Sequence, residues 1–372
     1  MKTSCLALVV MGLGPLALCA QAETTAALGA GSGTSSSSTT IYGVLDAGVV
    51  AERGCAANCA STKVSGGVAS GSRLGVQGRE ALGNEVTAVY ALEAGIANDT
   101  GQSEEGRLFG RQAYVGLDSR LGALTLGRQY NLQYVALTDV ADPFRGGMAG
   151  SAGNLAGYGA KRYDNTVKYV TPALRGVSAA AIYSFGESPY SRAQNRAYGA
   201  TLGYSAGAVN VSVSHQRKNN FIQAEGTVPA IDMSARNTLV AANLDLGMAT
   251  AFAAVGVNKG YGSSPWDPSN AYSSLALSMS SSDSRDTLMG VSVPVGGFKL
   301  LASYVRKDDR DLANRDANQI ALGVTYSLSR RSDFYASYAK IHNKNGARYT
   351  VGNASDSGRG DAAFNLGFRH GF

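Results

Sequence analysis

Between Thr39 and Phe372 the chain repeats one device: segments of about ten residues in which apolar and polar side chains alternate, joined by connectors that are alternately short and long. Alternation with period two marks strands with two unlike faces. Sixteen segments read this way: 39–51, 71–80, 84–94, 108–117, 122–130, 161–171, 177–186, 197–206, 207–216, 236–245, 249–258, 285–295, 298–306, 317–328, 333–341 and 360–372. The connectors after the second, fourth and later even segments are tight: ALGN, DSRLG, PALRG, SAG, DLGM, VGG and SLSRRS. Those after the odd segments are long, polar and irregular. A soluble sandwich has no reason to sort its turns by end. A barrel across an outer membrane does, with short turns in the periplasm and long loops outside. An even strand count puts both termini at the periplasmic end, and sixteen strands enclose enough width for an aqueous channel.

The expected fold class is therefore all-β, a 16-stranded antiparallel transmembrane β-barrel. Leu74 and Val76 alternate with Arg73, Gln77 and Arg79, and after the ALGN turn Val86, Ala88, Tyr90 and Leu92 alternate with Glu85, Thr87 and Glu93. The apolar faces look at lipid and the polar faces at water inside the barrel. Glu85, Glu93 and Asp46, which opposes Leu45 and Ala47, are placed on the lumen wall. The 19 tyrosines suit the aromatic girdles of such a barrel. No stretch after residue 22 is apolar enough for a membrane helix, since Leu239 to Val257 is broken by Asn243, Asp245 and Gly247. Backbone groups in lipid must all be paired, so closure is what remains. In the final AFNLGFRHGF, the residues Phe364, Leu366, Phe368 and the terminal Phe372 share one parity. This last strand must pair with the first, because a barrel has no free edge.

Three segments organise the chain. MKTSCLALVVMGLGPLALCAQA has one charge at Lys2, an apolar run and small residues at Ala20 and Ala22, the layout of a secretory signal peptide at 1–22. Residues 23–38 are a low-complexity, flexible lead-in, and 39–372 form the barrel. The GAGSG stretch in the lead-in lacks the Gly-Lys-Ser/Thr of a phosphate loop. Removal of the first 22 residues leaves two cysteines, Cys55 and Cys59, expected to close a small disulfide ring outside the cytoplasm.

The net charge of +6 is spread over both signs, with no basic cluster dense enough to track a nucleic acid. The histidines His215, His342 and His370 have no spacing of a base or a zinc set, so no catalytic residue, metal or other cofactor is expected. A substrate-specific channel or a surface receptor or adhesin barrel is the alternative reading. A sugar channel would show an aromatic ladder, and the sole tryptophan, Trp266, falls in an outer loop.

The segments IYGVLDAGV, SRLGVQGRE-ALGN, LFGRQAYVGL, LGALTLGRQY, RYDNTVKY and GFRHGF also resemble the Gram-negative general porin family, in its β-proteobacterial branch. The resemblance spans nearly the whole mature chain. It implies a homotrimer in the outer membrane, among lipid and lipopolysaccharide, and a long third loop folded into the lumen as a constriction. It also implies passive diffusion of ions and small hydrophilic solutes. The long connector Asn131 to Ala160 fits that loop. The family's constriction cations match Arg73, Arg111 and Arg128, with Arg162 as a fourth, and its loop anions match Asp139 and Asp142. Parity sends Arg73 inward. Arg111 faces in if Val115 does and Tyr114 faces lipid. Arg128 shares parity with Leu124 and Leu126, so it needs a bulge, for which Gly127 is the place. Arginines outnumber acids here, which implies a modest preference for inorganic anions. Some relatives carry a lysine near Val44 that this chain lacks.

Overall fold

The computed structural model describes residues 37–54, 62–189, 191, 193–222, 231–265 and 281–372. The signal segment, nearly all of the lead-in, Cys55, Cys59 and Trp266 lie outside the described residues. Sixteen antiparallel strands make the wall: β1 (Ser38–Arg53), β2 (Arg73–Gly83), β3 (Val86–Ala97), β4 (Gln112–Ser119), β5 (Gly122–Tyr130), β6 (Arg162–Val170), β7 (Val177–Ser184) and β8 (Ala197–Ala206). The second half is β9 (Val209–Lys218), β10 (Ala235–Asp245), β11 (Thr250–Lys259), β12 (Asp283–Val295), β13 (Phe298–Asp309), β14 (Ala317–Ser327), β15 (Ser332–Asn343) and β16 (Ala362–Gly371). Each pairs with its sequence neighbours, and β16 pairs with β1 from Val44↔Gly371 to Arg53↔Ala362. The ring is closed. Phe372 completes the seam, its N–H donating to Gly43 O at 3.0 Å and its carbonyl accepting Gly43 N–H at 3.1 Å.

The alternation read from the sequence is the alternation of the wall. Leu74, Val115, Leu126, Val255 and Ile320 point outward, with 44% exposure at Leu74 and 61% at Ile320, while Arg73, Thr125, Ser214, Asn258 and Gln319 are inward and buried. Glu85 departs from its expected place. Asn84 and Glu85 both have positive φ (49° and 60°), the geometry of a two-residue hairpin turn, so Glu85 lies outside the strand alternation. Its carboxylate pairs with Arg120 at 3.4 Å on the short-turn rim, not on the lumen wall.

The inner face is not polar all round. Leu239 on β10, Ala254 on β11, Leu288 on β12, Leu301 and Val305 on β13, Ala321 on β14 and Ala339 on β15 form one apolar cluster with loop residues Leu137, Val140, Phe144, Met148 and Leu155. All of these loop residues belong to the third long loop, residues 131–161, which crosses the barrel and packs on its far wall. Each buried Leu or Phe contributes about 1.5–3 kcal/mol relative to exposure, so the loop is held by a small core of its own. Polar ties surround it: Asn243 Nδ2 donates to Val140 O (2.8 Å), Asn154 Nδ2 to Gln319 Oε1 (2.8 Å), and Gly157 N–H to Asp286 Oδ2 (2.7 Å). Phe144 fits because Gly323 has no side chain; a Cβ there would stand 2.6 Å from the ring.

The loop's stem is fixed by Asn131. Its Oδ1 caps a short helix, α1 (Leu132–Val135), at Gln133 N–H (2.8 Å), and its Nδ2 donates to Tyr158 O (2.8 Å) and Ala160 O (2.7 Å). One side chain thus joins the loop's entry to its exit. A π-helical stretch (Ala136–Ala141) follows α1. Loop 1 is drawn inward by Asp46, which accepts the N–H groups of Val68, Ala69 and Ser70 (3.1, 3.0 and 2.9 Å) and the Tyr335 hydroxyl (2.5 Å). Val68 O then accepts Met148 N–H of loop 3 (2.7 Å) and Ala354 N–H of the last loop (3.2 Å). Removing the Phe144 ring is expected to cost about 3–5 kcal/mol of loop docking. Hydrogen exchange of Phe144→Ala should rise across residues 136–156 while the strand amides keep their protection.

Candidate functional site: the charged eyelet

With loop 3 on the far wall, the open side of the lumen is bounded by β2 to β6, where the basic residues stand. Glu93, on β3, sits between two arginines. Arg111 Nε donates to Glu93 Oε1 at 2.8 Å and Arg73 Nε lies 3.6 Å from Oε2, which also accepts the Tyr42 hydroxyl at 2.8 Å. All three charged groups are buried. Taking charges out of water is costly unless they are paired and bonded, as here.

Tyr130, the last residue of β5, extends the cluster. Its hydroxyl accepts Arg111 Nη2 and Arg162 Nη2, both at 2.7 Å, and the Arg162 guanidinium lies 4.4 Å from the Tyr130 ring centroid. Arg162 also donates to Glu105 Oε1 at 2.5 Å. Burial alone would raise the Glu105 carboxyl, but Arg162, Lys161, Arg111 and Arg128 around it hold it below the ordinary carboxylate range.

Arg128 depends on an irregularity. The β5–β6 register shifts between Gly127 and Gln129; Gly127 has φ 131° and Asn165 on the facing strand has φ 53°. The slip frees Arg128 from the parity of Leu124 and Leu126. Its Nη1 meets Asp164 Oδ1 at 2.6 Å and its Nε donates to Gly110 O at 2.6 Å. Arg111 reaches the lumen by a route other than the one parity suggested. Val115 is outward and Tyr114 inward, the reverse of that expectation, and Arg111 faces in because it precedes β4 and its strand pattern.

A cavity of about 500 Å³ lies against this cluster, between loop 2 (residues 98–111), loop 3 and the last loop (residues 344–361). Its lining includes Arg107, Arg128, Lys161 and Arg162, with Glu104, Glu105 and Asp356 as the acids and Tyr134 and Tyr158 as aromatic faces. Arg73 is turned away into loop 1, donating to Ser70 Oγ and Gly71 O at 3.0 Å. Asp142 is not a constriction anion. It is buried in loop 3, where it accepts the N–H groups of Phe144 (2.9 Å), Gly146 (2.8 Å) and Ala152 (2.9 Å), so its acceptor sites serve the loop's own turn. Asp139 is half-buried on the π-helical stretch and accepts Thr138 Oγ1 at 3.3 Å. The acids that do face the arginines, Glu104, Glu105 and Asp164, were missed. Asp164 stands inside the RYDN motif, and a carboxylate facing an arginine across a bulge was its signal.

These features describe a water-filled barrel across an outer membrane, narrowed by an inward loop and a charged wall. The Gram-negative porin family profile matches residues 10–346, and the chain belongs to that family. It is 31% identical to an outer membrane porin protein of Bordetella pertussis, over 84% of this chain and 91% of that one. It is 25% identical to the outer membrane porin protein 32 of Delftia acidovorans, over 92% and 96%. Its fold matches the anion-selective porin from Comamonas acidovorans with a TM-score of 0.73 at 24% identity, covering 91% of this chain and all of the other. The protein is an outer-membrane porin.

Burial raises the Asp142 carboxyl to about 6, against the opposing pull of its three backbone donors and Arg145. An unfolded aspartate titrates near ~3.9. Between these values the folded loop binds a proton that the unfolded chain does not, so this stabilisation is complete below about 4 and is lost as pH rises through about 6. Asp142→Asn removes the titration. Protection of the Phe144, Gly146 and Ala152 amides in the wild type, relative to that variant, should fall between pH 4 and 7; an unchanged ratio places the proton elsewhere.

Proposed function

We propose that the channel passes ions and small hydrophilic solutes with a modest preference for anions, through a constriction formed by loop 3 and the arginine wall. The charge of the cavity lining carries this reading: four cations, Arg107, Arg128, Lys161 and Arg162, stand against three carboxylates, Glu104, Glu105 and Asp356. Further along the lumen, Lys299 of β13 lies within electrostatic reach of Arg145 on loop 3 and Arg369 on β16. Fixed charge of one sign in a low-dielectric passage concentrates the opposite ion, and salt screens it over about 8–10 Å. The anion-selective Comamonas porin lends the same direction by its name. Asp139 belongs to the loop side of this constriction, and Asp46 and Glu93 to its wall.

The chain is further proposed to be exported by its first 22 residues, to close a Cys55–Cys59 disulfide and to assemble as a homotrimer. A trimer form is described for OmpT of Vibrio cholerae, a barrel that shares only the fold. The mature N-terminus should then read from Glu23 on N-terminal sequencing.

Reversal potential in a planar bilayer under a salt gradient tests the ion preference. An anion-signed potential is expected, moving toward the cation side in Arg128→Gln and less in Arg73→Ala, whose charge is already turned into the wall. A cation-signed potential in the wild type would overturn the reading.

A further inference from the structure

On the inner face of the barrel, side chains of β6 and of β9 to β13 form an unbroken hydrogen-bonded row. The Tyr163 hydroxyl of β6 donates to Gln216 Oε1 of β9 at 2.9 Å. Gln216 Nε2 donates to Asn237 Oδ1 of β10 (3.3 Å), Asn237 Nδ2 to Asn258 Oδ1 of β11 (2.7 Å), and Asn258 Nδ2 to Asp286 Oδ2 of β12 (2.6 Å). Lys307 Nζ of β13 ends the row on Asp286 Oδ1 at 2.6 Å. Every member is buried, Lys307 completely, so this cation meets no passing solute.

The row has a direction. A carboxylate only accepts, so Asp286 obliges Asn258 to present its NH2 group, which turns the Asn258 oxygen toward Asn237 and repeats the choice back to Gln216. The row's remaining bonds go to loop backbone: Gln216 Nε2 donates also to Tyr158 O, Asn237 Nδ2 to Ser263 O (2.8 Å), and Asp286 Oδ2 accepts Gly157 N–H (2.7 Å). Gly157 and Tyr158 are the exit of loop 3, just before Lys161 and Arg162. The Tyr158 ring meets Tyr134 edge-on (centroids 5.3 Å apart), Tyr134 stacks on Tyr130 (5.8 Å, 11°), and the Tyr130 hydroxyl accepts Arg162 Nη2. Tyr163, at the other end of the row, is the residue next to Arg162 in the chain.

We infer that Lys307 and Asp286, on the wall opposite the arginines, are positioning residues for the constriction. Their pair sets the orientation of the amides, the row holds Gly157 and Tyr158, and these fix where Arg162 stands. The inference rests on the reading of the arginine wall as the seat of ion preference. The pair is neutral and adds no net charge to the passage. Loss of the ammonium leaves the Asp286 carboxylate buried without its counter-charge. Exchange of Asp286 for asparagine gives Lys307 the one remaining oxygen and turns an NH2 group on the NH2 of Asn258, so Gly157 N–H and the row both lose their acceptor. With both exchanged, the asparagine oxygen is free to accept from Asn258 and Gly157 again.

Reversal potentials of the purified protein in a planar bilayer under a salt gradient test this, with Arg162→Gln setting the scale and heat-modifiable gel migration reporting folding. Lys307→Met and Asp286→Asn should both move the potential toward cations, as Arg162→Gln does but by less, and the Gly157 amide should lose hydrogen-exchange protection in each. The double variant Asp286→Asn/Lys307→Met should return both readouts toward wild type. Asn258→Ala interrupts the row without changing any charge, and it should also shift the potential toward cations, which keeps the test decisive if a charged variant does not fold. Groups acting only through their own charge would give the two single variants opposite signs, and that result, or no shift where Arg162→Gln gives one, would overturn the assignment. A potential that Arg162→Gln leaves unmoved would instead overturn the reading of the arginine wall on which it rests.

Discussion

In hydrocarbon a backbone N–H or C=O without a partner costs several kcal/mol, with no water to repair the loss. Every other feature of this protein is arranged around that demand. Sixteen strands satisfy one another only if the last finds the first, and the ten register pairs from Val44↔Gly371 to Arg53↔Ala362 are where that happens. Closure fixes the diameter, and the diameter leaves a lumen too wide for side chains to fill. A loop is therefore needed to narrow it.

That loop could not serve as a constriction if it merely hung in water. It is docked, with Leu137, Phe144 and Leu155 against Leu239, Leu288 and Val305, and the docking makes the lumen asymmetric. One half is a solid apolar and amide-bonded mass; the other is a wall of arginines, carboxylates and tyrosine hydroxyls. The buried part of the charged cluster, Arg73, Glu93, Arg111 and Tyr130, is too well bonded to act as a mobile gate. Through Tyr130 it holds the Arg162–Glu105 pair in position, while the more exposed Arg128 is held by Asp164 and the Gly110 carbonyl.

Strand number, face and connector sorting were legible because lipid on one side and water on the other impose a strict period of two on the sequence. Arg128 was legible through the same logic, since its parity conflict with Leu124 and Leu126 could be resolved only by a bulge near Gly127. What period two does not govern was misread. Glu85 lies in a turn, Arg111 precedes its strand, and Asp142 sits in a loop whose three backbone donors have no sequence signature. The inward Leu239, Leu288 and Val305 gave no warning either, because their meaning depends on a loop distant in the chain.

The Val68 carbonyl ties three surface loops together, accepting Met148 N–H and Ala354 N–H while its own N–H is held by Asp46. The last loop therefore cannot be rewritten freely even on its outer side. Its residues Gly352, Asn353, Ser355, Asp356 and Ser357 line the cavity as well, so a substitution that displaces Ala354 disturbs both the cavity wall and the carbonyl that steadies loop 3. The outer surface and the channel lining therefore meet at one peptide group, and the variation that loop tolerates should thin out toward it.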